Sequence, residues 1–253
     1  MSFIRCLAFA AAIGSAASSR AAFFVAHDTA AGTNQGHVTL LYDHGDHFHR
    51  IGVFGGAIGQ VPEASAGGPL KLAAGTGSLA GRYVSTPYLG DLADPTAPYS
   101  NTSMTSIWAL SGGQPGSAQA VLFNSSGGRY QGSLAGTSLA LELIAISAGL
   151  NLADAAGAGT LNSPGSRIAL GAGDGFGTFL PRFFTDAGVA AGSSYSASFK
   201  LVDLNGVAQE SGQFRYVFQA VPEPSSFALA GLGLGAFALV GRRRRGATAP
   251  IRG

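Results

Sequence analysis

SYSASFKLVDLNG (residues 194–206) is followed, five residues later, by GQFRYVFQAV (residues 212–221). Both are short runs with β-branched and aromatic members, bounded by Gly, Asn, Asp or Ser, which is the pattern of strands. Val202-Asp203-Leu204-Asn205-Gly206 ahead of Gln213 to Phe218 reads as a hairpin turning at Asn205-Gly206, with a second strand that starts several residues late. The same pattern recurs upstream in HVTLLYD (37–43), HFHRIGVFG (47–55), SMTSIWALSG (103–112) and AQAVLFNSSG (118–127). SLALELIAISAGL (138–150) is the one helix candidate: its first half has good helix formers, while its Leu-Ile-Ala-Ile centre suits a buried strand equally well. No fixed period recurs, so a solenoid or propeller is not indicated. The expectation is a mainly β domain, an antiparallel β-sandwich or jelly roll with one candidate helix.

Two glycine-rich stretches, GAGDGFGTF (171–179) and AAGTGSLAG (73–81), precede no credible helix and lack a Gly-Lys-Ser/Thr ending. A phosphate-binding loop needs the free N–H groups of a helix N-terminus, so both read as turns. Asp174 alone falls far short of the oxygen shell that calcium requires.

Both ends read as processing segments. Residues 1–21 have a basic start at Arg5, an apolar run from Cys6 to Ile13 and small residues beyond, the layout of a secretory signal peptide, with cleavage after Ala17 or Ala21. Cys6 is the only cysteine, so the mature chain has neither disulfides nor thiolate metal sites. Residues 225–241 form an uncharged apolar run, followed by Arg242, Arg243, Arg244 and Arg245. Seventeen residues reach the short limit of a transmembrane helix, and the arginines would keep its far side cytoplasmic. The expected organisation is a signal peptide (1–21), a β-rich extracytoplasmic domain (22–220), a sorting segment with a membrane helix (221–245) and a tail (246–253).

Val221-Pro222-Glu223-Pro224, the apolar span and the arginine cluster together resemble the PEP-CTERM sorting signal of exopolysaccharide-producing Gram-negative bacteria. The resemblance covers about the last thirty residues. It implies export through the inner membrane and an exosortase acting near Pro222, Glu223 and Pro224. It also implies a transient or permanent membrane tether and delivery to the cell surface or extracellular matrix, where exopolysaccharide is a neighbour. It implies an address and not an activity.

Between the two ends lie eight Lys/Arg and twelve Asp/Glu, a net charge of −4, although the whole chain carries +2. The basic excess belongs to the ends, so nucleic-acid binding has no electrostatic basis.

All five histidines, His27, His37, His44, His47 and His49, fall within 23 positions, and three of them crowd LYDHGDHFHR (41–50). If Gly45-Asp46 forms a two-residue hairpin turn, His44 pairs with His47, Tyr42 with His49, Leu40 with Ile51 and Val38 with Val53. Side chains alternate with period two, so His44, His47 and His49 then share one face at the rim of an apolar surface. A turn at His44-Gly45 instead pairs Tyr42 with His47 and leaves His44 in the loop, while His47 and His49 still share a face. Three neutral imidazoles without thiolates suit zinc, with copper, nickel or iron as other transition-metal occupants. His27, Glu63 or an aspartate is a candidate fourth ligand, and Asp43 and Asp46 are candidates to orient the rings. The competing reading is a solvated surface hairpin.

The His-Gly-Asp-His-Phe-His segment, in a chain with this tail, resembles the Zur-repressed PEP-CTERM proteins, made when a zinc-sensing repressor releases its genes. That resemblance covers about fifteen residues and implies surface zinc binding or acquisition.

Other chemistry is weakly supported. No Gly-x-Ser-x-Gly occurs, and Ser125, Ser126, Ser193 and Ser194 sit in turn contexts. Glycoside hydrolysis would have to draw on Glu63, Glu142 or Glu210. Tyr83, Tyr88, Tyr99 and Trp108 are candidate stacking surfaces for a sugar, although aromatic residues in strands are usually core. The functional expectation is a non-enzymatic, exported zinc-binding protein serving zinc acquisition or storage. The alternatives are a structural or polysaccharide-binding matrix protein without a metal role, and a zinc hydrolase with Glu63 as base.

Overall fold

The computed structural model describes residues 23–44, 46–61, 69–85, 102–154 and 160–221. The expected signal peptide, Gly45, Glu63, Tyr88, Tyr99, the Pro222-Glu223-Pro224 motif, the apolar run and Arg242 to Arg245 all lie outside the described residues. Among the described residues no helix is long and apolar enough to cross a membrane.

The described residues form thirteen strands. The first seven are β1 (Phe23–His27), β2 (Val38–Asp43), β3 (Phe48–Ile51), β4 (Gly59–Val61), β5 (Leu70–Ala74), β6 (Tyr83–Val84) and β7 (Met104–Ser106). After a short 3-10 helix (Ile107–Leu110) and helix α1 (Ala118–Asn124) come β8 (Ser138–Ile146), β9 (Leu150–Ala153), β10 (Arg167–Ala172), β11 (Arg182–Thr185), β12 (Ser194–Asp203) and β13 (Phe214–Ala220). A small sheet has the order β3-β2-β1-β7, and a large one the order β10-β8-β12-β13-β5-β6-β11-β9, with β4 also on β13. The chain is mainly β, and the sheets form a half-barrel.

Period-two alternation explains the main core. In β13, Phe214, Tyr216, Phe218 and Ala220 are buried, whereas Arg215, Val217 and Gln219 are exposed or partly so. They meet Phe199 and Leu201 of β12, Leu139, Leu141 and Leu143 of β8, and Phe23, Val25, Val38 and Leu40 of the small sheet in one apolar cluster. The small sheet is covered on its other side too, where Phe24, Ala26 and Leu41 pack with Ile107, Leu110, Leu122 and Tyr130.

Several sequence expectations are resolved or corrected. Residues 138–146 are a strand: Leu139, Leu141 and Leu143 point to one core, and β8 is paired on both sides by β10 and β12. Burial on that ladder overrides the helix propensity of the segment. Conversely, AQAVLFN is a helix and not a strand. The Ser117 hydroxyl caps it by accepting from Ala120 N at 3.2 Å, and Leu122 is its buried side chain. SMTSIWAL is a strand only through Ser106, where that side chain accepts from Trp108 N and starts the 3-10 turn. Pairing is not wholly antiparallel: β1 with β7, and β13 with both β4 and β5, run in parallel. Parallel partners need long connections, so no local pattern announces them.

Asn205-Gly206 does turn the chain, with Gly206 at φ +71°, but the β12–β13 ladder begins only at Phe199↔Phe214. Beyond that point β12 stays paired with β8. The Asp203 carboxylate organises the intervening loop by accepting from the backbone N–H groups of Ser138, Asn205, Val207 and Ala208. Burial pushes this carboxyl up, but those four donors outweigh it and hold it below the usual value.

Tyr216 sits among Phe23, Phe183, Phe199, Phe214 and Phe218, and among the described residues its buried hydroxyl has no hydrogen-bond partner. Burial alone raises its pKa. A buried hydroxyl without a partner is destabilising, so Tyr216→Phe should raise unfolding stability by about 1 kcal/mol, read as a higher urea midpoint at unchanged m.

Candidate metal centre

β2 and β3 form the edge hairpin of the small sheet. The ladder pairs Leu40 with Ile51, Leu41 with Arg50, Tyr42 with His49 and Asp43 with Phe48. His44 N donates to His47 O at 3.0 Å, so this is the register that pairs His44 with His47. The ladder stops at Ile51, and Val53 does not join Val38. Gly52 takes φ +72°, and a Cβ there would come within 2.8 Å of the Gly212 carbonyl oxygen, so a side chain would not fit where the strand turns away. Val38 N donates instead to Gln209 O.

This register brings His44, His47 and His49 together. One ligand atom from each lies within 4.8 Å of the others. His47 Nε2 is 3.0 Å from His49 Nε2. His44 stacks on His49 with ring centroids 4.5 Å apart and planes 9° apart, and lies edge-on to Tyr42 at 5.9 Å. Tyr42 packs against Phe23 of the core at 5.4 Å, so the cluster stands on an apolar base, with His44 and His47 exposed and His49 half-buried.

Asp46 Oδ1 lies 2.6 Å from His47 Nδ1. This hydrogen bond, helped by the imidazole's charge when protonated, holds the exposed Asp46 carboxyl below its usual value. An ionised carboxylate on Nδ1 keeps the proton there and leaves the lone pair of Nε2, which faces His49 Nε2 at hydrogen-bond distance, as the ligand position, the arrangement common around zinc. Two ligands of a tetrahedral zinc at 2.0–2.1 Å would lie roughly 3.3 Å apart, close to the His47–His49 separation. The donor set is therefore compatible with zinc.

Asp43 pairs with Phe48, one step out of phase with His44 and His49. His27 does not join the cluster. It continues the β1 register opposite Val38, six residues of β2 from His44 and roughly 20 Å away at the usual strand rise, and its Nδ1 lies 3.1 Å from Ser133 O. His37 is buried, with Nδ1 2.6 Å from Glu210 O and its ring stacked on Phe54. Each is engaged locally.

A feature not foreseen from the sequence pins the hairpin from the opposite side. Asp28 follows β1 and is fully buried. Its carboxylate accepts from Arg50 Nη1 at 3.1 Å and from Arg129 Nη2 at 2.7 Å and Nε at 3.1 Å. That hydrogen bond raises the Arg129 pKa. Arg50 neighbours His49 on β3, so this ion cluster ties the histidine strand to β1 and to the segment after α1. Nothing in a sequence marks two arginines, one of them 101 positions away, as partners of one aspartate.

The rival sites gain little. Trp108 packs against Phe123 and donates Nε1–H to Gly132 O, and Tyr83 packs on the main core. Neither forms an exposed stacking platform. Glu142 is bound by Arg167 and Lys200, and the same lysine binds Glu210. Burial works to raise the Glu142 carboxyl, but its two cationic donors outweigh it and keep it ionised, the wrong state for a general acid. Asp174 accepts from Ser133 Oγ and Leu134 N, which makes GAGDGFGTF a clasp between loops.

Residues 220–245 match the family model of the PEP-CTERM protein-sorting motif. No curated protein matches the chain.

Proposed function

Taking as premise that this chain is a PEP-CTERM protein, with its sorting motif at residues 220–245, we propose that it is an exported, surface-associated zinc-binding protein that serves zinc acquisition or storage. The convergence of His44, His47 and His49, with the His47–His49 Nε2 separation of 3.0 Å, carries this reading. A zinc ion would be held by those three imidazoles, with Asp46 orienting His47. An exported chain without cysteines in its mature part has only nitrogen and oxygen ligands to offer, and imidazole is the best of these for zinc. The sorting motif implies processing by an exosortase at the inner membrane, and exopolysaccharide is the expected surrounding at the cell surface. The role proposed is binding: Glu142 and Glu210 are ion-paired with Lys200, and Glu63, the base a zinc hydrolase would draw on, lies outside the described residues.

Calorimetric titration of the full chain with zinc should give one equivalent bound. The His44→Ala/His47→Ala/His49→Ala triple variant, compared at the same pH, should lose it. Equal binding by both proteins, or none by either, would sink the zinc reading and leave a matrix protein whose histidines are incidental.

A further inference from the structure

The three histidines are not equivalent, and the inference drawn from this rests on the zinc reading above. An imidazole's lone pair lies in the ring plane, so an ion 2.0–2.1 Å from the nitrogen must lie close to that plane. His44 and His49 are stacked face to face, with planes only 9° apart and centroids 4.5 Å apart. Two rings so nearly parallel cannot both contain one ion in their planes. The His47 and His49 planes cross at 46°, and their Nε2 atoms already lie 3.0 Å apart. His47 is further oriented by Asp46 on its other nitrogen, while His49 is carried on the ladder opposite Tyr42. His44 stands just beyond β2, is exposed, and among the described residues makes ring contacts with Tyr42, His47 and His49 but no hydrogen bond through its imidazole.

We infer that His47 and His49 are the standing ligand pair and that His44 is an exchangeable third arm, which reaches the metal only by turning off the His49 ring. Turning costs His44 its stacking and no hydrogen bond. Withdrawing the arm leaves a two-histidine site that an incoming ligand can complete. The arrangement suits a protein that captures zinc and hands it on, more than one that buries it permanently.

The test is competition of the full chain and its single variants with a chromophoric chelator for zinc, with transfer rates followed by stopped flow. His47→Ala and His49→Ala should each weaken zinc binding by at least about 100-fold, and His44→Ala by only about 10-fold, the range over which metal sites respond to removal of supporting groups. His44→Ala should also speed transfer to the chelator. Metal-free melting temperatures of the three variants should agree, which separates loss of a ligand from loss of the hairpin. Equal losses for all three, or the largest for His44→Ala, would overturn the inference while leaving the zinc site standing. Failure of the unaltered chain to bind zinc would overturn both.

Discussion

Phe199→Ala is expected to cost about 3–5 kcal/mol of unfolding stability, the largest effect of any single substitution considered for this fold. Phe199 is fully buried in the middle of β12 and touches Phe183, Phe214 and Tyr216 with ring centroids near 6 Å. β12 lies between β8 and β13, so the cavity would open at the centre of the large sheet. Neighbouring rings are held by ladders on both sides and can collapse into the space only in part. For a domain of this size the loss should appear as a fall of about 10 °C in melting temperature. A fall below ~3 °C would mean that the aromatic cluster repacks freely and is not the centre of stability.

The second large effect is expected from Asp28→Ala, about 3 kcal/mol in urea unfolding. Breaking a buried ion cluster by removing one member costs about 3–5 kcal/mol. The lower end applies here because Arg50 and Arg129 are 24% and 36% exposed and can reach water once released, whereas Asp28 is at 0%. The loss has a local consequence as well. Arg50 would no longer tie β3 to β1, and amide exchange at Phe48 to Ile51 should accelerate more than in β8 or β12, which lie inside the large sheet. Uniform acceleration across the protein would show that the ion cluster supports the whole fold and not the histidine strand in particular.

The two effects lie on opposite sides of the same small sheet. Its inner face joins the main core through Val25, Val38 and Leu40, and its outer face carries Asp28's arginine partners beside Phe24, Leu41 and Tyr130. The histidine hairpin projects from the end of this doubly covered layer. The two strands that carry the histidines are therefore held from both faces of the small sheet by the protein's own contacts.

Local reading narrowed the histidine hairpin to two registers, and the ladder takes the one that pairs Tyr42 with His49 and His44 with His47. In that register period two puts His44, His47 and His49 on one face with Leu40 and Ile51 behind them. Asp46's hold on His47 follows from adjacency in the same turn. The strands rich in Leu, Phe and Tyr could be read for a similar reason, since alternation is a property of the segment itself. Reading failed where a segment's partner mattered more than its own composition. AQAVLFN could be an apolar strand or one amphipathic turn, and its Ser117 cap together with the place available to Leu122 made it a helix. SLALELIAI carried helix formers, yet paired neighbours on both sides made it a strand.

The sequence by itself determined the sorting motif at residues 220–245, the mainly β character and the placing of His47 and His49 on one face of a hairpin, because each depends on residues within a few positions of one another. Tertiary structure decided the parallel pairing of β13 with β4 and β5, the burial of Asp28 between Arg50 and Arg129, the register that brings His44 to His47, and the separation of His27 from the histidine cluster. Those depend on contacts between residues tens to more than a hundred positions apart, and only the closing of the apolar core over the whole chain selects them.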